Sequence, residues 1–217
     1  MIKIQNGQDK LGLQALLDKY SGLRIRPRSG AELVLSGRLA FRAQCRGYEE
    51  ISDCFLVQID VSGGFPRELP CVRELGGRVP GGFHTNGDGT LCLGSPLRLH
   101  LLAGKRPTLL QFVERCVVPY LYGVCYREKH GTLPFGELAH GTQGVIDDYK
   151  AVFRVQDERA CLEFMRLTAL QRRRANRHAC PCGSGRRLGR CHNRVVNALR
   201  QSCGRLAFRA EYQRLAR

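Results

Sequence analysis

Four residues near the C-terminus limit the folding of this chain more than any others: Cys180-Pro-Cys182, then after eight residues Cys191-His192. Three thiols and an imidazole at that spacing are the number and kind of donors that a closed tetrahedral zinc site uses, and Gly183-Ser-Gly185 lets the backbone turn sharply between them. A segment this short has little apolar material to bury, so a bound ion would supply much of its folding free energy. With no open coordination position, such a metal would hold structure and not catalyse.

The rest of the chain divides by charge. Of 217 residues with net charge +16, those from Met165 to Arg217 contribute 14 Arg against a single acid, Glu211, and the preceding 164 residues are almost neutral. The expected organisation is therefore a main domain over 1–164 and a basic helical segment with the metal module over 165–217. Such a tail is suited to nucleic acid or to an acidic protein surface, and equally to a solvated helical face. The start carries no charged region followed by an apolar run, and no later stretch would span a bilayer, so the expected setting is the cytoplasm without a membrane partner. Eleven cysteines in that setting are expected to be reduced, serving as core fillers, ligands or nucleophiles.

Within 1–164, leucines at near-helical spacing predict an amphipathic helix over 8–20. Residues 32–44 and 51–61 are rich in β-branched and aromatic side chains with a short polar link between them, which predicts paired antiparallel strands. Pro66 and Pro70 confine any following strand to an edge or to residues after Pro70. The turn pairs Asn86-Gly87 and Asp88-Gly89 predict a loop over 79–96, an apolar run over 108–130 predicts a buried helix kinked or restarted at Pro119, and a long helix is expected from 145 to 176. Helix, strands, loop, then helices is an α+β order: an antiparallel meander with helices packed on one face.

The loop carries chemistry. His84, Asn86 and Cys92 fall within nine residues, so one thiol is delivered beside an imidazole and an amide. Acyl transfer to a thiolate passes through an oxyanion that a fixed amide donor such as Asn86 could stabilise, and His84 could brace the loop or act as a base. The competing reading is a core cysteine flanked by Leu91 and Leu93.

Phe83-His84-Thr85-Asn86, a glycine, then Leu91-Cys92-Leu93 resembles the signature of ubiquitin-conjugating enzymes, where His-Pro-Asn precedes Ile/Leu-Cys-Leu. Phe65-Pro-Arg-Glu-Leu-Pro-Cys-Val72 is similar to the Tyr-Pro-x-x-Pro-Pro-x-Val that stands upstream in that family, and Gly131 to Gly141 resembles bacterial members encoded beside ubiquitin-like and activating-enzyme genes, in operons associated with antiphage defence. The likeness spans about residues 8–155, with Thr85 in place of the usual proline and a shorter gap from Asn86 to Cys92. It implies a ubiquitin-conjugating-like fold in which Cys92 carries a ubiquitin-like modifier from an activating enzyme to an amine on a protein target, with Asn86 on the oxyanion. His140, Asp147 and Asp148 are candidates for helping deprotonate that amine.

The run Cys180-Pro-Cys-Gly-Ser-Gly-x5-Cys-His192 resembles the zinc motif at the C-terminus of the SecA translocase, which implies zinc on Cys180, Cys182, Cys191 and His192 and a partner-binding appendage. Two other functions stay open: a cysteine hydrolase using Cys92 and His84, and a non-enzymatic zinc-containing nucleic-acid-binding or adaptor protein.

Overall fold

The computed structural model describes residues 11–27, 33–80, 83–134 and 141–216. The chain divides into two compact units, one drawn from Met1–Gly94 and Arg106–Glu137, the other from Ser95–Lys105 and Leu138–Arg217. The join expected between 164 and 165 instead falls inside a helix (Glu158–Ala169).

The first unit is α+β. Helix α1 (Leu13–Lys19) leads into strands β1 (Leu23–Arg26), β2 (Leu33–Gln44), β3 (Glu50–Val61) and β4 (Cys71–Glu74), hydrogen-bonded in the order β1-β2-β3-β4. Every pair is antiparallel, with β2 and β3 in register from Leu33 opposite Val61 to Gln44 opposite Glu50. This is the expected meander. Period-two alternation decides which face is covered: Leu35, Leu39 and Phe41 on β2 and Phe55, Val57, Ile59 and Val61 on β3 are buried. Gly37 interrupts that row because a Cβ there would lie 2.2 Å from the Gly22 carbonyl oxygen, so only glycine lets β1 approach. The short β4 follows Pro70 at the sheet edge, as the prolines require.

The buried helix expected over 108–130 is present in three parts. A capping box formed by Thr108 and Gln111 starts α3 (Leu109–Phe112), a π turn spans Val113–Val117, and α4 (Val118–His130) packs on β2 and β3. The π turn sits immediately before Pro119, whose ring lacks an N–H and would clash with a carbonyl of a tight preceding turn; widening the turn removes the conflict. Arg78 ties sheet to helix by donating to Asp53 at 2.9 and 2.8 Å and to Glu128 at 2.6 Å.

The second unit is helical: α2 (Pro96–Ala103), α5 (Gly141–Phe153), α6 (Glu158–Ala169), α7 (Arg172–Ala175) and α8 (Asn193–Leu215). The single helix expected over 145–176 is thus three. Arg154 has a left-handed φ of 58°, Asp157 caps the next helix by accepting from the Ala160 N–H at 2.7 Å, and Leu170 is extended. Helix α8 itself breaks at Gly204, with φ 77° and ψ 155°. The core of this unit gathers Leu97, Tyr149, Phe153, Phe164, Met165, Val196 and Phe208, with Phe153 stacked on Phe164 at 5.2 Å. Arg200 closes the C-terminal end of α6, donating to the carbonyls of Thr168 and Leu167 at 2.9 and 2.7 Å. Among the described residues no helix is long and apolar enough to cross a membrane.

Candidate functional site

The loop expected over 79–96 holds a small antiparallel hairpin. Thr85 bridges Leu91, the Asn86 N–H donates to the Thr90 carbonyl at 2.8 Å, and the Cys92 N–H donates to the His84 carbonyl at 2.7 Å. That register sets His84 opposite Cys92 and Asn86 opposite Thr90. The turn between them is closed by side chains. Asp88 accepts from the Thr90 N–H at 3.0 Å and from its hydroxyl at 2.7 Å, and the Asn86 amide donates to that same hydroxyl oxygen at 2.9 Å. The Thr90 hydroxyl and N–H hold the Asp88 carboxyl below its ordinary range, so it stays an acceptor.

The hairpin is anchored at two points. The Leu91 N–H donates to the Val72 carbonyl of β4 at 2.7 Å, and the Tyr120 hydroxyl on α4 donates to the His84 carbonyl at 3.2 Å and more weakly to that of Phe83 at 3.4 Å. Phe83 in turn lies under the Arg127 guanidinium at 4.2 Å and edge-on to the His84 ring at 4.7 Å. His84 adopts a φ of 43°, unusual for a residue with a side chain. Burial, and after it the charge of the Cys92 thiolate, push the Tyr120 hydroxyl well above its usual range, which keeps it a donor and puts it within electrostatic reach of Cys92. Tyr120 lies 28 positions after Cys92 in an apolar helix, so no local pattern in the sequence marks it.

Cys92 is half-buried, not sealed in the core, whereas Cys116, Cys125 and Cys161 are buried. Burial raises Cys116 to about 11 and Cys161 to about 12, as expected of thiols that only fill space. His84, Asn86 and Cys92 are therefore brought together on one anchored hairpin, with one Asn86 N–H already spent on Thr90. Of the other candidates, Asp148 is taken up by Ser95 and Arg98 and Asp147 by Lys150 and Gln143. His140 lies outside the described residues.

The second cluster is the one expected from spacing. A short hairpin, with Ala179 bridging Arg187 and the Cys180 N–H donating to the Arg186 carbonyl at 2.8 Å, brings Cys180 and Cys182 back to Cys191 and His192. Gly183 and Gly185 at its tip have φ of 76° and 69°. The Cys180 and Cys182 sulfurs lie 3.4 Å apart, Cys182 and Cys191 3.6 Å, and His192 Nδ1 is 3.2 Å from both Cys180 and Cys191. All four donor atoms lie within 4.8 Å of one another, so the cluster could hold a metal ion. Phe164 presents its edge to the His192 ring at 5.2 Å and fixes its tilt. Burial pushes the Cys180 thiol up, whereas at Cys182 burial is outweighed by hydrogen bonds from Ser184, Cys180 and Cys191, which lower it.

A third group with ligand-type atoms, Asp53, Cys125 and Glu128, is a different case, since the Arg78 guanidinium already supplies the positive charge at both carboxylates. No protein-family model, no curated protein and no solved structure matches this chain.

Proposed function

We propose that the protein is a conjugating enzyme for a ubiquitin-like modifier, with a structural zinc module. The observation that carries this reading is the half-buried Cys92 on a hairpin set against β4 and α4, with His84 opposite it and Asn86 exposed in the same turn. The order of helix α1, a four-strand meander, the thiol loop and following helices is also the order that the ubiquitin-conjugating resemblance implies.

On this reading the Cys92 thiolate attacks the thioester carbonyl at the C-terminus of a modifier carried by an activating enzyme. The carrier thiolate leaves, and the modifier is held as a new thioester. An amine on a protein target then attacks that carbonyl; Cys92 leaves as thiolate, and the amine loses a proton to solvent or a nearby base. Exchange between thioesters is nearly isoenergetic, so the protein contributes position and oxyanion stabilisation. Asn86 supports the second role if its spare amide N–H, or the whole amide after release from Thr90, turns toward the oxyanion. In the second unit zinc suits three thiolates and one imidazole in a closed tetrahedron.

The test is to incubate the full chain with a ubiquitin-like modifier and activating enzyme encoded beside it, and ATP. A thiol-reducible adduct that Cys92→Ala abolishes supports the reading. No adduct with an activating enzyme shown to be charged refutes it. ATP-independent cleavage of a modifier fusion, lost in Cys92→Ala, would assign the thiol to a hydrolase.

A further inference from the structure

Eight arginines lie between residues 172 and 194: Arg172, Arg173 and Arg174, Arg177, Arg186 and Arg187, Arg190, and Arg194; no acid and no lysine lies among them. All eight are exposed. The fold gathers them around the metal hairpin. The Leu188 N–H donates to the His178 carbonyl at 2.9 Å and the Gly189 N–H to that of Asn176 at 3.2 Å, so the segment bearing Arg186, Arg187 and, in a short 3-10 turn, Arg190 lies against the one that leaves α7 with Arg177. Arg194 sits in the first turn of α8, two residues after the ligand His192.

Some other arginines of this unit are engaged, whereas Arg154, Arg159, Arg205 and Arg209 are exposed like the eight but lie away from the hairpin in sequence. Arg166 is paired with Glu163 at 2.6 Å, Arg214 with Glu211 at 2.8 Å, and Arg200 is spent on carbonyls. Among the described residues none of the eight is held by a carboxylate. Eight exposed guanidinium groups around one small hairpin repel one another, and a polyanion relieves that repulsion.

We infer that the metal hairpin and α7 form a binding surface for the phosphate backbone of a double-stranded nucleic acid. The rest of the surface decides the class of partner. Between 171 and 194 no large hydrophobic side chain is exposed, since Ala175 and Leu188 are buried. A membrane surface would need an apolar wedge, a specific protein interface an apolar or aromatic centre, and a single strand aromatic faces on which to stack. Duplex phosphates need only placed cations, and guanidinium is the donor that binds phosphate with two parallel hydrogen bonds. The metal would fix the spacing of the arginines by holding the hairpin closed.

The experiment uses the full zinc-loaded chain and fluorescence anisotropy with a duplex of about 25 base pairs of arbitrary sequence, as DNA and as RNA. If four to eight phosphates are neutralised, raising salt from about 50 to about 200 mM weakens binding roughly 10²- to 10⁴-fold. The variant Arg173→Gln/Arg174→Gln/Arg187→Gln/Arg190→Gln changes only exposed positions; it keeps its zinc and lowers the logarithmic salt slope by about 3 to 4. Cys92→Ala leaves binding unchanged, which separates this surface from the thiol chemistry. Binding to either duplex with that loss of slope supports the inference, and the tighter of the two identifies the nucleic acid. The inference is overturned by no binding to either duplex, by an unaltered slope in the zinc-loaded variant, by tighter binding to a single strand, or by binding only to phosphatidylserine vesicles or polyglutamate.

Discussion

Replacing Cys182 by Ser tests the metal centre at its middle, because the Cys182 sulfur is neighbour to those of both Cys180 and Cys191, at 3.4 and 3.6 Å. Zinc–sulfur bonds of about 2.3 Å in a regular tetrahedron place ligand sulfurs about 3.8 Å apart, so these two sulfur pairs need to open by only a few tenths of an ångström to accept the ion. Structural zinc in small domains contributes on the order of 10–16 kcal/mol of binding free energy; one ligand of four is worth roughly a quarter of that, a loss of about 10²- to 10³-fold in affinity. The hairpin meets the helical core through Cys180 and Leu188, with Cys182 packed at its edge, but Phe153, Phe164 and Phe208 on the helices form its bulk, so the unit should keep most of its helix while losing its metal. The assay is metal analysis after dialysis against a chelator of intermediate strength, with far-ultraviolet circular dichroism on the same samples. Wild type should retain about one equivalent. Cys182→Ser should lose it with little loss of helix, and Cys45→Ser, a half-buried thiol outside the quartet, should retain it. A wild-type protein that takes up no metal when supplied with zinc, or a Cys182→Ser variant that holds it as tightly, would refute the reasoning.

Tyr120→Phe removes the hydroxyl that donates to the His84 carbonyl; the expected cost is about 0.5–1.5 kcal/mol by thermal or denaturant melting, with slower thioester formation at Cys92 and unchanged metal content. Asp53→Asn weakens the tie to Arg78 and should destabilise the chain at neutral pH by about 1–2 kcal/mol, the lower part of the range for charge-assisted bonds because both side chains are about a third open to water. The Arg78 guanidinium holds the Asp53 carboxyl well below the usual carboxylate range, so its folded-state pKa lies under the unfolded one: its contribution is present above about pH 4 and disappears as pH falls further. Wild type should therefore lose stability below about pH 4 more steeply than Asp53→Asn, read from denaturant midpoints across pH. Phe164→Ala empties a fully buried site between Phe153 and His192; the expected loss is about 3–5 kcal/mol in the second unit, with weaker metal retention, checked by melting and metal analysis together.

Where a local rule acts alone, the chain was readable. The β-branched and aromatic content of 32–44 and 51–61 foretells both long strands and their pairing, and Pro66 and Pro70 confine the next strand to an edge or to residues after Pro70, where β4 lies. The cysteine–histidine spacing brings its four donor atoms together as expected. Where a long helix is expected, breaks divide it. Within 145–176 neither Arg154 nor Leu170 is a residue type that announces a left-handed or extended backbone, and only Asp157, as an N-cap, marks a break in the sequence. The division of units was not legible either, because α2 contributes to the second unit from the middle of the sequence, a long-range packing choice that composition does not encode. Likewise the roles of Tyr120 and Arg78 depend on partners tens of residues away.

Helix α2 has a practical consequence for dissecting the molecule. Leu97 and Leu101 are covered within the helical unit, where Cys203 of α8 also lies close to the Leu97 carbonyl. A fragment cut after residue 164 would strip α2 of its shelter and uncover greasy surface a few positions downstream of the thiol. Cloning boundaries chosen from charge alone would therefore yield a sticky product whose silence in a biochemical screen says nothing about the parent. Intact protein with point substitutions is the sounder route.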